Sequence, residues 1–140
     1  MAFKNYYIKF IKGNETWEFP LGWMQINTAD FAPYKVMDLD PYYDSTGLLH
    51  RNVVEHTSAD LKFSLPPMPM SKKNEVMRKI RSMYTNVKKR DCTLEYYNDE
   101  TDSYVAADCY MVEPHFRPKE RNALTGEILY DSIDLEFIKY

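Results

Sequence analysis

Residues 91–110 read DCTLEYYN, DETD and SYVAADCY, and this stretch decides the fold. If residues 99–102 form a four-residue loop, Asn98 faces Ser103 and each pair of facing positions adds up to 201. One face of the hairpin then collects Cys92, Leu94, Tyr96, Val105, Ala107 and Cys109. The other face collects Thr93, Glu95, Tyr97, Tyr104, Ala106 and Asp108. Because a shift of one residue would send each side chain to the opposite face, this register predicts an antiparallel β-hairpin.

Further strands are predicted on both sides of this hairpin. Residues 3–11 alternate and are aromatic, and the Lys12-Gly13-Asn14 turn leads into residues 15–19, which is typical of an opening hairpin. Other predicted strands are residues 34–39, 48–54, 61–65 and 127–139. In the last of these, the apolar phase switches at Asp131-Ser132, as a β-bulge would require. Residues 40–47 and 119–126 are rich in turn-forming or polar residues and are predicted to be exposed loops.

One amphipathic helix is predicted over residues 72–84. The preceding run, Pro66-Pro67-Met68-Pro69-Met70, must be extended, because proline fixes its own φ and biases its predecessor away from helix. Ser71 suits the N-cap and Glu75 the first turn, where the helix dipole favours an acid. An apolar stripe follows at helical spacing, formed by Val76, Ile80, Met83 and Tyr84. The opposite face is basic, with Lys72, Lys73, Arg78, Lys79 and Arg81.

The composition predicts a single domain over residues 1–140, mainly β, with antiparallel strands in a sandwich or barrel and one flanking helix. Residues 1–33 form an N-terminal hairpin and arm, and residues 34–140 the β-sandwich core with the helix. The aromatic fraction of 15% favours strands. A net charge of -3 gives no reason to expect nucleic acid or an anionic membrane as the main partner. The sequence shows neither a span of about 20 apolar residues nor a secretory signal, so we expect a cytosolic protein.

No catalytic residues and no cofactor are predicted, so we expect the chain not to be an enzyme. The sequence contains no nucleophile elbow or zinc-protease motif. The three histidines lack a Ser, Cys or acidic partner at a spacing typical of a triad; they are His50, His56 and His115.

No metal site is predicted either. The aspartates around residue 40 could suggest calcium, but an EF-hand loop would need an oxygen ligand at Tyr42 and a glycine at Tyr43. Cys92 and Cys109 lack the spacing of a zinc site. Because free cysteines are often buried, we expect two buried, reduced thiols.

The charges fall into two blocks of opposite sign. Residues 71–90 contain eight bases and one acid, whereas residues 91–113 contain seven acids and no base. In a head-to-tail ring, the basic helix of one subunit could meet the acidic hairpin of its neighbour. Alternatively, the helix lies near the hairpin of its own chain and neutralises it. The sequence leaves both interpretations open.

Several short motifs follow one another along the chain. Residues 38–51 read DLDPYYDSTGLLHR, residues 61–68 read LKFSLPPM before the helix, and residues 133–138 read IDLEFI. In the hairpin, residues 95–99 read EYYND and residues 109–112 read CYMV. In this order, residues 34–140 resemble small tail structural proteins of long-tailed (siphovirus-type) bacteriophages and prophages. After Val112 that family often has Gly-Asp-Arg, whereas this chain has Glu113-Pro114.

The resemblance implies a tail-tube-like fold of two packed antiparallel sheets with a flanking helix, and no catalytic residues. It implies a structural virion protein that forms a ring, often hexameric, in the tail tube or the distal hub/baseplate region. Such a ring surrounds the DNA channel, so that DNA is only passing cargo. It contacts other phage tail proteins, and it assembles in the host cytoplasm without a membrane. The alternative is a monomeric β-rich adaptor or inhibitor that binds one host or phage protein.

Candidate subunit contacts follow from the two predicted loops and the two charge blocks. Loops and sheet edges that remain exposed are natural contact points between subunits. The predicted contact residues are Tyr42, Tyr43, Asp44, Lys72, Lys73, Arg78, Arg81, Glu95, Asp108, Lys119 and Arg121.

Overall fold

The computed structural model describes residues 3–140. Within this range, the chain has twelve β-strands, one α-helix and one short 3-10 helix at Leu21–Trp23. The strands of the first half are β1 Ile8–Lys12, β2 Glu15–Glu18, β3 Asp30–Lys35, β4 Tyr42–Tyr43, β5 Leu49–His50, β6 Ser58–Leu65 and β7 Met68–Pro69. The helix α1 is Met70–Ser82. The remaining strands are β8 Asp91–Asn98, β9 Ser103–Met111, β10 Pro118–Arg121, β11 Ile128–Tyr130 and β12 Ile133–Lys139.

Seven strands form one antiparallel sheet in the order β2-β1-β8-β9-β12-β6-β3. The sheet is curled, as contacts between residues near its opposite edges show. The rings of Tyr7 and Phe31 lie 5.6 Å apart, and those of Phe19 and Phe63 lie 5.1 Å apart. A three-stranded sheet, β10-β11-β7, and a two-stranded sheet, β4-β5, complete the fold. The prediction of a mainly antiparallel β fold with one α-helix is confirmed.

The inner face of the curled sheet forms the core. It is lined by the alternating side chains that the sequence predicted, including Ile8, Phe10, Leu61 and Phe137. The helix adds Val76 and Ile80, and the residues just after it add Met83 and Tyr84, so the whole predicted stripe is buried. Burial of these large side chains is the main stabilising contribution to the fold.

The β8–β9 hairpin has the predicted register at each of its eight pairs, from Asp91 opposite Tyr110 to Asn98 opposite Ser103. Its neighbours on the sheet are β1, which pairs with β8, and β12, which pairs with β9. The hairpin therefore lies at the centre of the sheet. Its register places its apolar face on the same side of the sheet as the apolar faces of β1 and β12.

The N-terminal hairpin is also confirmed, with a turn at residues 13–14. Its strand β1 is hydrogen-bonded to both β2 and β8, so it belongs to the large sheet. Residues 1 and 2, which the predicted N-terminal part includes, lie outside the described residues. The division into one domain over residues 1–140 stays a prediction.

Three boundaries differ from the prediction. The strand predicted at residues 34–39 is β3, at residues 30–35, and it tolerates Pro33 because it is an edge strand. The strand predicted at residues 48–54 is reduced to the two residues of β5, with a single bridge from Val53 to Asp38. The exposed loop predicted at residues 119–126 begins as strand β10, because β11 offers it an edge to pair with.

The phase switch at Asp131-Ser132 has a different cause from the predicted bulge. Tyr130 ends β11 in the small sheet, and Ile133 begins β12 in the large sheet. The apolar phase changes because the chain passes from one sheet to the other.

The helix starts and ends two residues earlier than predicted, at Met70 and Ser82. Pro69 occupies the N-cap position and Met70 the first helical position. Ser71 does not cap the helix; its hydroxyl donates to Glu127 Oε1 at 3.0 Å. Glu75 is therefore outside the first turn, where no acid is present.

Cys92 and Cys109 are both free and buried, and they face each other across β8 and β9. Burial raises the pKa of the Cys109 thiol to about 12, and it also raises the pKa of the Cys92 thiol. The thiolate is the reactive form, so both cysteines are expected to be inert in the folded chain.

At pH 8, a thiol-specific reagent should label these two cysteines at least roughly 100-fold more slowly in the native protein than in the denatured protein. Labelling at similar rates in both states would contradict this.

Candidate functional site

Residues 36–54, here called the ribbon, contribute nothing to the core. Between Phe19 and Ala59, a stretch that the structure describes throughout, no side chain is buried. Within the ribbon, eight large apolar side chains are exposed: Val36, Met37, Leu39, Tyr42, Tyr43, Leu48, Leu49 and Val53. Tyr43 is 71% exposed and Leu48 is 62% exposed. An ordered segment with this much exposed apolar surface is typical of a protein-binding site.

The ribbon is held in shape by its own hydrogen bonds. Backbone bonds cross it from Leu39 N to Asn52 O at 2.8 Å and from Val54 N to Met37 O at 2.9 Å. Near its base, Arg51 makes a two-pronged ion pair with Asp38, in which Nη2 lies 2.9 Å from Oδ2. Such charge-assisted pairs fix geometry as well as adding attraction. The ribbon is thus preorganised although it lacks a core of its own.

Asp44 organises the tip of the ribbon. Its Oδ1 accepts hydrogen bonds from Thr46 Oγ1 at 2.6 Å, Thr46 N at 2.9 Å and Leu48 N at 3.0 Å. Its Oδ2 lies 2.8 Å from His50 Nε2, and the His50 ring stacks on Tyr42 at 4.8 Å. Gly47 closes the turn with φ +87°, a conformation that favours glycine. The predicted contact residues Tyr42, Tyr43 and Asp44 are brought together here.

The hydrogen bond from Thr46, with those from His50 and Leu48, lowers the pKa of Asp44 to about 2. Because this pKa lies below the unfolded value of about 3.9, the stabilising effect is present above pH 4 and is lost as the pH falls towards 2. An NMR titration should give a carboxyl midpoint near 2, and the protection of the Leu48 amide, measured relative to its intrinsic exchange rate, should fall over the same range. Asp44→Asn should remove that pH dependence. A midpoint near 4 would contradict the hydrogen-bond network.

A second surface is a groove of about 1060 Å³ between helix α1, the turn after it and the segment that follows β9. Six bases line it: Lys73, Arg78, Arg81, Lys88, Lys89 and Arg90. Apolar side chains, among them Met77, Val87 and Phe116, line the same basic groove. Glu113 is the only acid among the lining residues, and it lies 4.0 Å from Arg90.

The structure separates the other predicted contact residues. Lys73, Arg78 and Arg81 line the basic groove, whereas Lys72 lies 4.3 Å from the Trp23 ring centroid and pairs with Glu75. Glu95 accepts a hydrogen bond from Tyr6 at 2.6 Å, and Asp108 accepts one from Thr93 at 2.8 Å. The remaining two, Lys119 and Arg121, lie exposed on β10.

Sequence reasoning missed two features of these surfaces. It placed residues 48–54 in the sheet, although adjacent apolar residues such as Leu48 and Leu49 do not alternate as a half-buried strand does. It also did not include Lys88, Lys89 and Arg90 among the contact residues, although these three consecutive bases lie only a few residues after the helical stripe. The connection between the helix and β8 is short, and this indicates that the three bases lie close to the end of the helix.

Among residues 3–140, no group of three or more metal-binding side chains is close enough to hold an ion. His50 and His115 do not share a site, since His50 lies in the ribbon and His115 lines the basic groove. In the described part of the chain, no helix has the length and apolar character needed to cross a bilayer.

Comparison with known proteins gives one structural relative and one family. No protein of curated function matches the sequence. A solved structure of the tail of an empty gene transfer agent (GTA) particle, with C6 symmetry, is similar with a TM-score of 0.52 and 10% sequence identity. The similarity covers 97% of this chain and 91% of that chain, so the two share a fold. The profile of a family of unknown function, DUF6711, matches residues 1–140, and the chain belongs to that family.

Proposed function

We propose that the chain is a structural protein of a phage-like tail, and that its copies assemble into rings. The observation that carries this proposal is the fold shared, over 97% of the chain, with the tail of a GTA particle of C6 symmetry. The sequence resemblance to tail proteins of long-tailed phages supports it independently, because it rests on motifs rather than on the course of the backbone.

In this proposal, the ribbon is a contact between copies. Its exposed apolar side chains would be an aggregation hazard on a free subunit and are accounted for if a neighbouring copy covers them. Covering these side chains removes apolar area from water and so contributes favourably to the contact.

The ring, six-fold by analogy, surrounds a channel through which DNA passes as cargo. It lies in the tail tube or in the distal hub/baseplate region of the virion, next to other tail proteins, and assembles in the host cytoplasm. Its work is to bind and position, and the proposal assigns it no catalytic step.

Mass photometry over a concentration series, followed by negative-stain electron microscopy, tests the proposal. The full chain, alone or co-expressed with the proteins of neighbouring tail genes, is expected to give rings of uniform mass. A chain that stays monomeric under all these conditions would overturn the proposal and favour a monomeric adaptor.

A further inference from the structure

The basic groove carries positive charge that its own chain leaves mostly uncompensated. Of its six bases, only Arg90 has an acid within 4.0 Å among residues 3–140. Arg78, Arg81, Lys88 and Lys89 are exposed and surround the same cavity. Like charges held this close repel one another, and an acidic partner relieves that repulsion.

The turn of the β8–β9 hairpin, residues 99–102, forms an acidic tip with complementary charge. Asp99, Glu100 and Asp102 are exposed, and neither Asp99 nor Glu100 has an ion-pair partner in the described part of the chain. The tip is preorganised, because the buried Asn98 accepts a hydrogen bond from Glu100 N at 2.9 Å and Tyr97 donates to Asp102. The remaining acids of the hairpin are engaged elsewhere, as Asp91 is by Tyr140.

The groove and the tip lie at opposite ends of one hairpin. Arg90 precedes β8, and Tyr110 and Met111 end β9, so the groove is at the base of the hairpin. The eight residues of β8 separate this base from the tip by about 26 Å at 3.3 Å per residue. The two surfaces therefore cannot meet within one chain, and the intramolecular neutralisation considered from the sequence does not occur between them.

We infer that the basic groove of one copy binds the acidic tip of the next copy. Surfaces that complement each other but lie at opposite ends of a subunit produce a head-to-tail contact, which closes into a ring or extends into a stack. This inference rests on the proposed function, which it deepens by naming the surfaces that meet. Nucleic acid is the other polyanion that could enter the groove, but the chain itself carries the matching acid and has a net charge of -3.

Charge reversal on each side tests the pairing. The groove variant is Arg78→Glu with Arg81→Glu, and the tip variant is Asp99→Lys with Glu100→Lys. Each is expected to weaken association about tenfold or more in sedimentation velocity. The four changes combined restore the wild-type net charge and should recover most of the lost association. Lys88→Glu with Lys89→Glu is a second groove variant that leaves the helix untouched, and circular dichroism checks the fold of each.

The outcomes separate this inference from the proposed function. Rings that form equally well in either single-side variant would overturn the pairing and leave the ring proposal standing. A combined variant no better than either single-side variant would also overturn the pairing, as would binding of a short DNA duplex that only the groove variant abolishes.

If the wild-type chain stays monomeric, disulfide trapping still decides the pairing. Arg81→Cys and Glu100→Cys chains, mixed, should cross-link, whereas Arg81→Cys mixed with Glu15→Cys should not. The native cysteines are buried and contribute little background. Equal or absent cross-linking in the two mixtures would overturn the inference.

Discussion

Replacing Tyr43 and Leu48 with aspartate is expected to abolish assembly while leaving the subunit folded. Both side chains are exposed in the single chain, at 71% and 62%, so their loss removes no core packing. About two thirds of each side chain remains to be covered, so if a neighbouring copy covers them, the contact loses about 2–4 kcal/mol of apolar burial, a weakening on the order of 30- to 1,000-fold. Two carboxylates placed in an apolar contact add a desolvation cost.

Mass photometry and a thermal melt on the same sample measure this effect. The ring fraction should vanish at concentrations where the wild type assembles, and the melting temperature should change by no more than a few degrees. The matched control is Ile26→Asp with Ala29→Asp, which adds the same charge at exposed positions outside the ribbon. Equal ring fractions in the ribbon variant and the wild type would show that the ribbon is not a subunit contact.

Phe10→Ala is expected to cost about 3–5 kcal/mol in the free energy of unfolding. Phe10 is 0% exposed, and its ring contacts those of Trp17 at 5.3 Å and Phe137 at 5.6 Å. It therefore connects β1 to β2 and to β12, on the far side of the β8–β9 hairpin. The truncation leaves a cavity that this crowded aromatic cluster cannot close.

Urea denaturation followed by tryptophan fluorescence measures this loss, since Trp17 and Trp23 both belong to the aromatic cluster. The melting temperature should fall by roughly 10–20 °C. Ile26→Ala serves as the control, because Ile26 is 86% exposed and its truncation should change stability by less than about 0.5 kcal/mol. A Phe10→Ala protein as stable as this control would refute the proposed position of Phe10 in the core.

The sequence predicts correctly those elements that have one apolar face and one polar face. Residues 91–110 specify one register because only that register collects Cys92, Leu94 and Tyr96 with their apolar partners. The helical stripe from Val76 to Tyr84 is similarly unambiguous, because its spacing fits no strand. In both cases the core of the same chain selects the pattern.

The parts that could not be predicted depend on partners distant in sequence or absent from the chain. Strand β10 is polar and exposed, and it is a strand only because β11 lies beside it. The ribbon is apolar without being buried, so a rule that places apolar residues in the core assigns Leu48 and Leu49 wrongly. Ser71 is a residue type that often caps helices, but its hydroxyl donates a hydrogen bond to Glu127, which is distant in sequence.

The candidate site shows the same division. The sequence predicted Tyr42, Tyr43 and Asp44 as contact residues, and it showed the opposite charge blocks of the helix and the hairpin. It could not show that the basic groove and the acidic tip lie at opposite ends of the β8–β9 hairpin. That separation converts two charge blocks into a directional pair of surfaces.

The most direct test of ring assembly through the ribbon is a cryo-electron microscopy reconstruction of the assembled chain. We predict a ring of six copies in which residues 36–54 of each copy lie on a neighbouring copy, with Tyr43 and Leu48 buried. Monomers alone, or a ring in which the ribbon of each copy stays in solvent, would contradict the account.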